Sequence, residues 1–219
     1  MIKALLFDMD GTLLDTVDIL AECWVRSLGK HGIKIDKHGF YKYVGLPATE
    51  IYSRITGEYN PLLFSRIHEE VSRCFEEKAS DTIRLLYPDA LPLLKSLKQY
   101  GIRTGIVTSS SCTRTLRLVD ETGITRYIDI IECRRQDDFS LDKAELLLHA
   151  IKKIDVTPVE AIYVGDSLVD CEASGRAGVL FVLVRRPWNE YMVETGNTHG
   201  SCRIERVVDR LSEILELVL

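Results

Sequence analysis

The strongest constraint on the fold is a single apolar strand pattern at the N-terminus that is followed by a long helical stretch without another strand. Residues 2–7 read as a buried strand, whereas residues 15–83 show helical periodicity without a strong strand pattern. A lone strand leaves backbone N–H and C=O groups unpaired along both edges, so this strand must join a sheet built from later residues. The helical stretch is therefore expected to be an insertion into that sheet.

From Tyr87 onward, helices alternate with short apolar strands rich in β-branched residues. This alternation is typical of a parallel sheet covered by helices on both faces. Strands are predicted at residues 102–110, 127–131, 161–166 and 179–184. A last helix is predicted to dock through Val207, Val208, Leu211, Ile214, Leu215 and Val218.

Together these patterns predict an α/β fold with a doubly wound parallel-sheet, Rossmann-like core and an inserted all-helical cap domain. The core is assigned to residues 1–14 and 84–219, and the cap to residues 15–83. The linkers near 14–17 and 80–87 are expected to be hinges.

Composition narrows the possible functions. The net charge is −5, with no basic block, which argues against a nucleic-acid partner. No run reaches the roughly 18 apolar residues of a membrane span, and the N-terminus does not resemble a secretory signal. The six cysteines are scattered without a C-x-x-C pair, so reduced thiols and a cytoplasmic location are expected.

Polar side chains follow the predicted strands where each strand ends. Asp8 and Asp10 follow the first strand, and a two-residue strand period would turn both to the same face. Thr108 and Ser109 end the second strand, and Asp166 ends the strand "AIYVGD". Because ligands of open parallel sheets bind at the carboxyl ends of the strands, these groups are expected to share one crevice.

These segments resemble the four motifs of the haloacid dehalogenase-like (HAD) superfamily. The motifs are "DMDGTLLD", a strand ending in "VTSS", a helix-opening lysine and "GDSLVD". The helical stretch after the first motif is similar to the subclass I cap, and the resemblance covers essentially the whole chain. It implies a Mg²⁺-dependent phosphatase acting on a small-molecule phosphate, with phosphoglycolate phosphatase and β-phosphoglucomutase as related types.

The resemblance implies a role for each acid. Asp8 is the nucleophile that forms an aspartyl-phosphate, and the Asp10 side chain is the general acid and base. The Mg²⁺ ligands are Asp8, Asp166 and the main-chain carbonyl of Asp10, since Mg²⁺ prefers hard oxygen ligands. Asp170 orients Asp166 or a metal-bound water.

The phosphate-binding groups implied by the resemblance are Gly11, Thr108, Ser109 and Lys143. Gly11 allows backbone amides to approach the phosphate, and Lys143 adds positive charge. In much of the superfamily this lysine lies in a K-P-x-P stretch, whose matching position here is Leu141, and "LDKAELL" lacks both prolines. A solvated lysine at a helix N-terminus is the alternative for Lys143.

Other activities within the superfamily remain open. A dehalogenase is expected to lack an acid at Asp10, and a phosphonatase to carry a different residue there together with a cap lysine. A phosphomutase shares both acids but carries a cap arginine after Gly-Val-Ser, where "VGLPATE" places Ala48, although Arg54 is a possible substitute. A non-catalytic binding protein of the same fold is the further alternative. Substrate identity and oligomeric state are not encoded in any pattern found.

Overall fold

The computed structural model of the chain describes residues 1–135, 142–195 and 200–218. Its centre is one parallel sheet of six strands in the order β3-β2-β1-β4-β5-β6. The strands are β1 (Ala4–Phe7), β2 (Arg103–Ser111), β3 (Ile130–Arg134), β4 (Ala161–Gly165), β5 (Leu180–Val184) and β6 (Ile204–Val208). The N-terminal strand therefore lies at the middle of the sheet, between β2 and β4, and the predicted fold class is confirmed.

Helices cover both faces of this sheet. Its flanking helices are α5 (Ala90–Gln99), α6 (Cys112–Glu121), α7 (Lys143–Lys153), α8 (Leu168–Ala177) and α9 (Glu190–Thr195). Consecutive β1 residues belong to different hydrophobic clusters: Leu5 and Phe7 to one, Ala4 and Leu6 to the other. This alternation follows from the two-residue strand period and explains why the whole strand is apolar.

The segment between β1 and β2 begins with a helical insert. It consists of α1 (Val17–Lys30), α2 (Lys37–Phe40), α3 (Ala48–Thr56), α4 (Pro61–Lys78) and the 3₁₀ turns Tyr41–Tyr43 and Thr82–Leu85. The two connections to the sheet run side by side. Asp15 N–H donates to the Leu85 carbonyl at 2.6 Å, and Tyr87 N–H donates to the Leu13 carbonyl at 3.0 Å.

Two predicted elements differ from the structure near the edges of the sheet. The third strand starts at Ile130 instead of Tyr127, because Thr125–Tyr127 forms a 3₁₀ turn. The predicted last helix is wrong at its start: Val207 and Val208 belong to β6, and a 3₁₀ helix at Leu211–Leu217 follows. The β-branched end of "IERVV" pairs with β5, which a helical periodicity count alone does not reveal.

The expectation of reduced thiols is also wrong. The six cysteines form three disulfides, Cys23–Cys74, Cys112–Cys133 and Cys171–Cys202. The partners are 21 to 51 residues apart in sequence and meet only through tertiary packing, so their spacing gave no sign of pairing. Among the helices described here, none is long and apolar enough to cross a membrane.

Candidate active site

The predicted reactive groups gather at the carboxyl ends of the central strands. Asp8 directly follows β1, and Asp166 directly follows β4, the strand that pairs with β1. Asp170 lies in the first turn of α8, and ligand atoms of the three carboxylates lie within 4.8 Å of one another. All three side chains are buried. We refer to Asp8, Asp166, Asp170 and Lys143 as the Asp8 cluster.

Lys143 supplies the positive charge of the Asp8 cluster. Its Nζ lies 3.0 Å from Asp8 Oδ1 and 2.5 Å from Asp170 Oδ1, and the residue is only 6% exposed. A cation at a helix N-terminus interacts unfavourably with the helix dipole. The ion pairs with Asp8 and Asp170 must offset this unfavourable interaction. The alternative of a solvated helix-terminal lysine is excluded by this burial, whereas Leu141 lies outside the described residues.

The Asp8 cluster has more negative than positive charge. Burial raises the pKa of Asp8 well above its usual value; Lys143 opposes this rise, and Asp170 and Asp166 add to it. Burial, followed by repulsion from Asp170, raises the pKa of Asp166 to about 7. Asp8 Oδ1 is buried and lies 3.0 Å from the Lys143 ammonium. Three carboxylates whose ligand atoms lie this close together form a set of oxygen ligands that fits a divalent cation.

Asp170 is held in place by Ser167, which belongs to the same motif, and by Tyr163, which belongs to β4. Its Oδ2 accepts hydrogen bonds from the Ser167 amide at 3.0 Å and the Ser167 hydroxyl at 2.5 Å. Its Oδ1 accepts from the Tyr163 hydroxyl at 3.0 Å and pairs with Lys143. The capping geometry of α8 thus orients Asp170 toward Lys143, and its predicted role toward Asp166 stays a prediction.

Asp166 is held from the loop after β1. The Thr12 hydroxyl donates to Asp166 Oδ1 at 2.8 Å. Gly11 has a φ of 81°, and a Cβ built there would lie 2.2 Å from Asp166 Oδ2. A side chain at position 11 would therefore be strained and would displace the carboxylate. This glycine is required for packing around Asp166, in addition to its predicted role near phosphate.

Asp10 has its own set of side-chain partners, distinct from those of the Asp8 cluster. Its carboxylate forms a bidentate ion pair with Arg114, at 2.8 Å from Nη1 and 2.5 Å from Nη2. The hydroxyls of Ser110 and Thr16 also donate to it, at 2.7 and 2.5 Å. Burial acts to raise the pKa of Asp10, but Arg114 and these hydrogen bonds outweigh it and lower the pKa to about 2. We refer to Asp10, Arg114, Ser110 and Thr16 as the Asp10 cluster.

The predicted hydroxyl groups lie at the end of β2, next to the Asp10 cluster. Thr108 is buried, and its hydroxyl accepts a hydrogen bond from the Ser110 amide at 3.2 Å. Ser109 is half-buried between them. Both residues thus lie near the carboxyl end of β2, the strand adjacent to β1.

The helical insert approaches the site through its loop at residues 43–47. A Cβ at Gly45 would lie 2.3 Å from the Ser167 hydroxyl, so the two segments are in close contact. Beside them is a cavity of about 200 Å³, with Tyr41, Lys42 and Arg54 on the insert side and Asp166, Trp188 and Tyr191 on the other. Arg54, considered as a substitute phosphate ligand, is ion-paired with Glu50 at 2.6 Å.

Three residues near the site were not predicted from the sequence. Arg114 binds Asp10, Trp188 Nε1 donates to Asp166, and Arg186 donates to the Gly11 carbonyl at 2.8 Å. Each is distant in sequence from the residue it binds. The only available signal was that all three follow a strand end.

Comparison with known proteins is consistent with this geometry. A family model described as haloacid dehalogenase-like hydrolase matches residues 5–184. A candidate pyrophosphatase PpaX of Clostridium perfringens is 31% identical, with 100% of this chain and 98% of the relative covered. The phosphoglycolate phosphatase of Nitrosospira multiformis is 29% identical, with 86% of each chain covered.

Solved structures show the same fold. A candidate haloacid dehalogenase-like hydrolase from Bacteroides fragilis aligns with a TM-score of 0.79 at 27% identity, covering 98% of this chain and 100% of that one. The β-phosphoglucomutase of Clostridium difficile aligns with a TM-score of 0.80 at 23% identity, covering 99% and 96%. At that identity, the second similarity bears on the fold alone.

Proposed function

We propose a specific reaction for this chain, which belongs to the haloacid dehalogenase-like hydrolase family and is a phosphatase of that family. The reaction is Mg²⁺-dependent hydrolysis of a small-molecule phosphomonoester, through an aspartyl-phosphate on Asp8, with Asp10 as general acid and base. The observation that carries the proposal is the buried Asp8 cluster, in which three carboxylates with ligand atoms within 4.8 Å of one another share one ammonium.

The cation is inferred from the charge and oxygen donors of the Asp8 cluster. Asp8, Asp166 and the main-chain carbonyl of Asp10 would hold Mg²⁺, and Asp170 lies close enough to add a fourth oxygen. When bound, Mg²⁺ would neutralise the crowded carboxylates and offset the negative charge of the phosphate. Burial is the largest cause of the raised pKa values of Asp8 and Asp166, and repulsion from neighbouring carboxylates adds to it.

In the first step, a carboxylate oxygen of Asp8 attacks phosphorus, and the bond from phosphorus to the leaving oxygen breaks. The leaving oxygen takes a proton from Asp10 and departs as the alcohol. Lys143 stabilises Asp8 as the carboxylate needed for attack, because its ammonium is 3.0 Å from Oδ1. Together with donors at Gly11, Thr108 and Ser109, it would counter the charge on the transferring phosphoryl group.

In the second step, water attacks the phosphorus of the aspartyl-phosphate and gives a proton to the Asp10 carboxylate. The bond between phosphorus and the Asp8 oxygen breaks, so inorganic phosphate leaves and Asp10 is again protonated. Arg114 favours the carboxylate form of Asp10, which suits this second step. Proton donation in the first step requires that Asp10 be released from the ion pair with Arg114.

The helical insert is proposed to act as a cap, with residues 15–83 closing over a core of residues 1–14 and 84–219. Its contact through Gly45 and Ser167 and the cavity beside Trp188 support this role. A closed cap excludes bulk water from the phosphoryl group. It would also restrict the substrates to small phosphates, so a folded phosphoprotein should not be dephosphorylated.

The direct test is Mg²⁺-dependent hydrolysis of an aryl phosphate and of a panel of metabolite phosphates. We expect Asp8→Asn to reduce turnover by at least about a thousandfold, because the nucleophile is lost. Asp120→Asn, at an exposed position of α6, should leave turnover unchanged. No turnover by the unmodified chain, full activity of Asp8→Asn, or isomer instead of free phosphate from glucose 1-phosphate would overturn the proposal.

A cytoplasmic location belongs to the same proposal, and the three disulfides weigh against it. Disulfides persist mainly in oxidising compartments, although intracellular proteins of hyperthermophiles are an exception. Cell fractionation in the presence of a thiol-alkylating reagent tests the location. Recovery in the cytoplasmic fraction would support it, and recovery outside that fraction would overturn it.

A further inference from the structure

The segment after β5 reaches across the sheet to the site. Residues 185–189 follow Val184, where the match to the family model ends. Asn189 Nδ2 donates to the main-chain carbonyl of Asp166 at 2.8 Å and to that of Val184, also at 2.8 Å. Arg186 binds the Gly11 carbonyl. This segment therefore connects the loops after β1, β4 and β5.

Trp188 makes the direct contact with the Asp166 side chain. Its indole Nε1–H donates to Asp166 Oδ2 at 2.7 Å, while the Thr12 hydroxyl donates to Oδ1 at 2.8 Å. Each carboxylate oxygen thus accepts one hydrogen bond and keeps capacity for a further partner. Two donors on opposite oxygens fix the rotation of the carboxylate about its terminal bond.

The indole ring has little freedom to turn away. Trp188 is 8% exposed, and a Cβ at Gly11 would lie 2.9 Å from its ring. On the insert side, its ring centroid is 6.0 Å from that of Tyr41. The absence of a side chain at position 11 therefore makes room for both the indole and Asp166.

We propose that Trp188 is a positioning residue that holds Asp166 in the orientation needed to bind the divalent cation. The inference rests on the proposed function, because it assumes that Asp166 is a metal ligand. A hydrogen bond that orients a ligand raises metal affinity by excluding rotamers that point away from the cation. A purely packing role would need the ring but not the N–H group, which gives the experiment its contrast.

The test compares Trp188→Phe with Trp24→Phe by isothermal titration with Mg²⁺. Phenylalanine keeps an aromatic ring at position 188 but removes the N–H donor. Trp24 is a buried tryptophan of the insert, 6.1 Å from Phe40, and serves as the matched control. We expect Trp188→Phe to weaken Mg²⁺ binding by about 10- to 100-fold and Trp24→Phe to bind like the unmodified chain.

A spectroscopic measurement keeps the inference testable if Trp188→Phe does not fold. The chain has two tryptophans, so Trp188 is the sole indole emitter in Trp24→Phe. Mg²⁺ should change the emission of that variant, because the cation alters the charge on the carboxylate that accepts the indole hydrogen bond. Unchanged emission at saturating Mg²⁺ would overturn the inference.

The outcomes also separate this inference from the proposed function. Suppose that the unmodified chain hydrolyses phosphates and binds Mg²⁺, and that the Mg²⁺ affinity of Trp188→Phe is within about twofold of the unmodified value. This result would overturn the role of Trp188 alone, because loss of an orienting hydrogen bond should weaken Mg²⁺ binding by more than that. Absence of both Mg²⁺ binding and turnover in the unmodified chain would overturn the proposed function, and this inference with it.

Discussion

Asp8 and Asp10 are two residues apart at the end of the same strand, yet their surroundings are opposite. In the Asp8 cluster three buried carboxylates share one ammonium, and the pKa values of Asp8 and Asp166 are raised. In the Asp10 cluster one carboxylate receives a guanidinium and two hydroxyls, and its pKa is lowered to about 2. The Asp8 cluster therefore has too little positive charge for its carboxylates, whereas the Asp10 carboxylate already accepts hydrogen bonds at both oxygens.

The difference shows how one strand end can prepare two carboxylates for different tasks. Neighbouring titratable groups whose pKa values are pushed apart are typical of acid–base sites. A group short of positive charge favours a cation, whereas a saturated carboxylate stays ionised and fixed in place.

Removal of the only described cation in the Asp8 cluster should have the largest effect on stability. We expect Lys143→Met to lower the free energy of unfolding by about 3–5 kcal/mol in metal-free buffer at pH 7, because it leaves buried carboxylates uncompensated. Urea unfolding measures the difference. Lys152→Met, at an exposed position of the same helix, is the control. A loss below about 1 kcal/mol would show that Lys143 is not needed to balance these charges.

The raised pKa of Asp166 predicts a pH dependence of the metal-free chain. The folded state holds this proton more tightly than the unfolded state, so stability declines as pH rises from near the ordinary value of 3.8 toward about 7. The slope from this group approaches about 1.4 kcal/mol per pH unit. Thermal unfolding between these pH values should show the decline, with a shallower slope in Asp166→Asn. Equal slopes in both proteins would contradict the raised pKa.

The Asp10 cluster should give stability the opposite pH dependence. The pKa of Asp10 is lowered from 3.8 to about 2, so its contribution is complete above pH 4 and is lost as pH falls through about 2. We expect Arg114→Gln to destabilise the chain by about 2 kcal/mol at pH 7, and the difference to shrink at acid pH.

Urea unfolding at several pH values measures this effect, and Arg117→Gln is the matched control. Arg117 lies on the same helix and pairs with Glu76 at 3.9 Å, a contact of exposed side chains that should contribute below about 1 kcal/mol. A loss of stability in Arg114→Gln that does not change with pH would indicate lost packing against Phe75. The centroid of the Phe75 ring lies 4.3 Å from the guanidinium carbon.

Much of the fold could be predicted from local pattern. The helical periodicity of residues 17–28, the apolar alternating strands and the lone N-terminal strand led to the observed architecture. The prediction failed at Val207 and Val208, where a short edge strand also satisfies a helical spacing. It failed at the cysteines because disulfide pairing depends on distances between elements that are remote in sequence.

The candidate site was predicted unevenly for the same reason. Asp8, Asp166, Asp170 and Lys143 meet because they follow strand ends or begin helices of one sheet, which the sequence pattern already implied. Asp8 and Asp10 nevertheless bind different partners, because β1 ends at Phe7 and the chain turns immediately afterwards. In that turn the Leu13 and Leu14 amides both donate to the Met9 carbonyl, so the two-residue strand period no longer applies.

The parallel sheet, the inserted helices and the edge at which carboxylates collect follow from the sequence alone, because periodicity and strand ends are local properties. The partner of each carboxylate depends on the folded chain: Lys143 for Asp8, Arg114 for Asp10 and the Trp188 indole for Asp166. Those partners come from elements that are remote in the chain, and electrostatic and hydrogen-bond energies depend on distance in space.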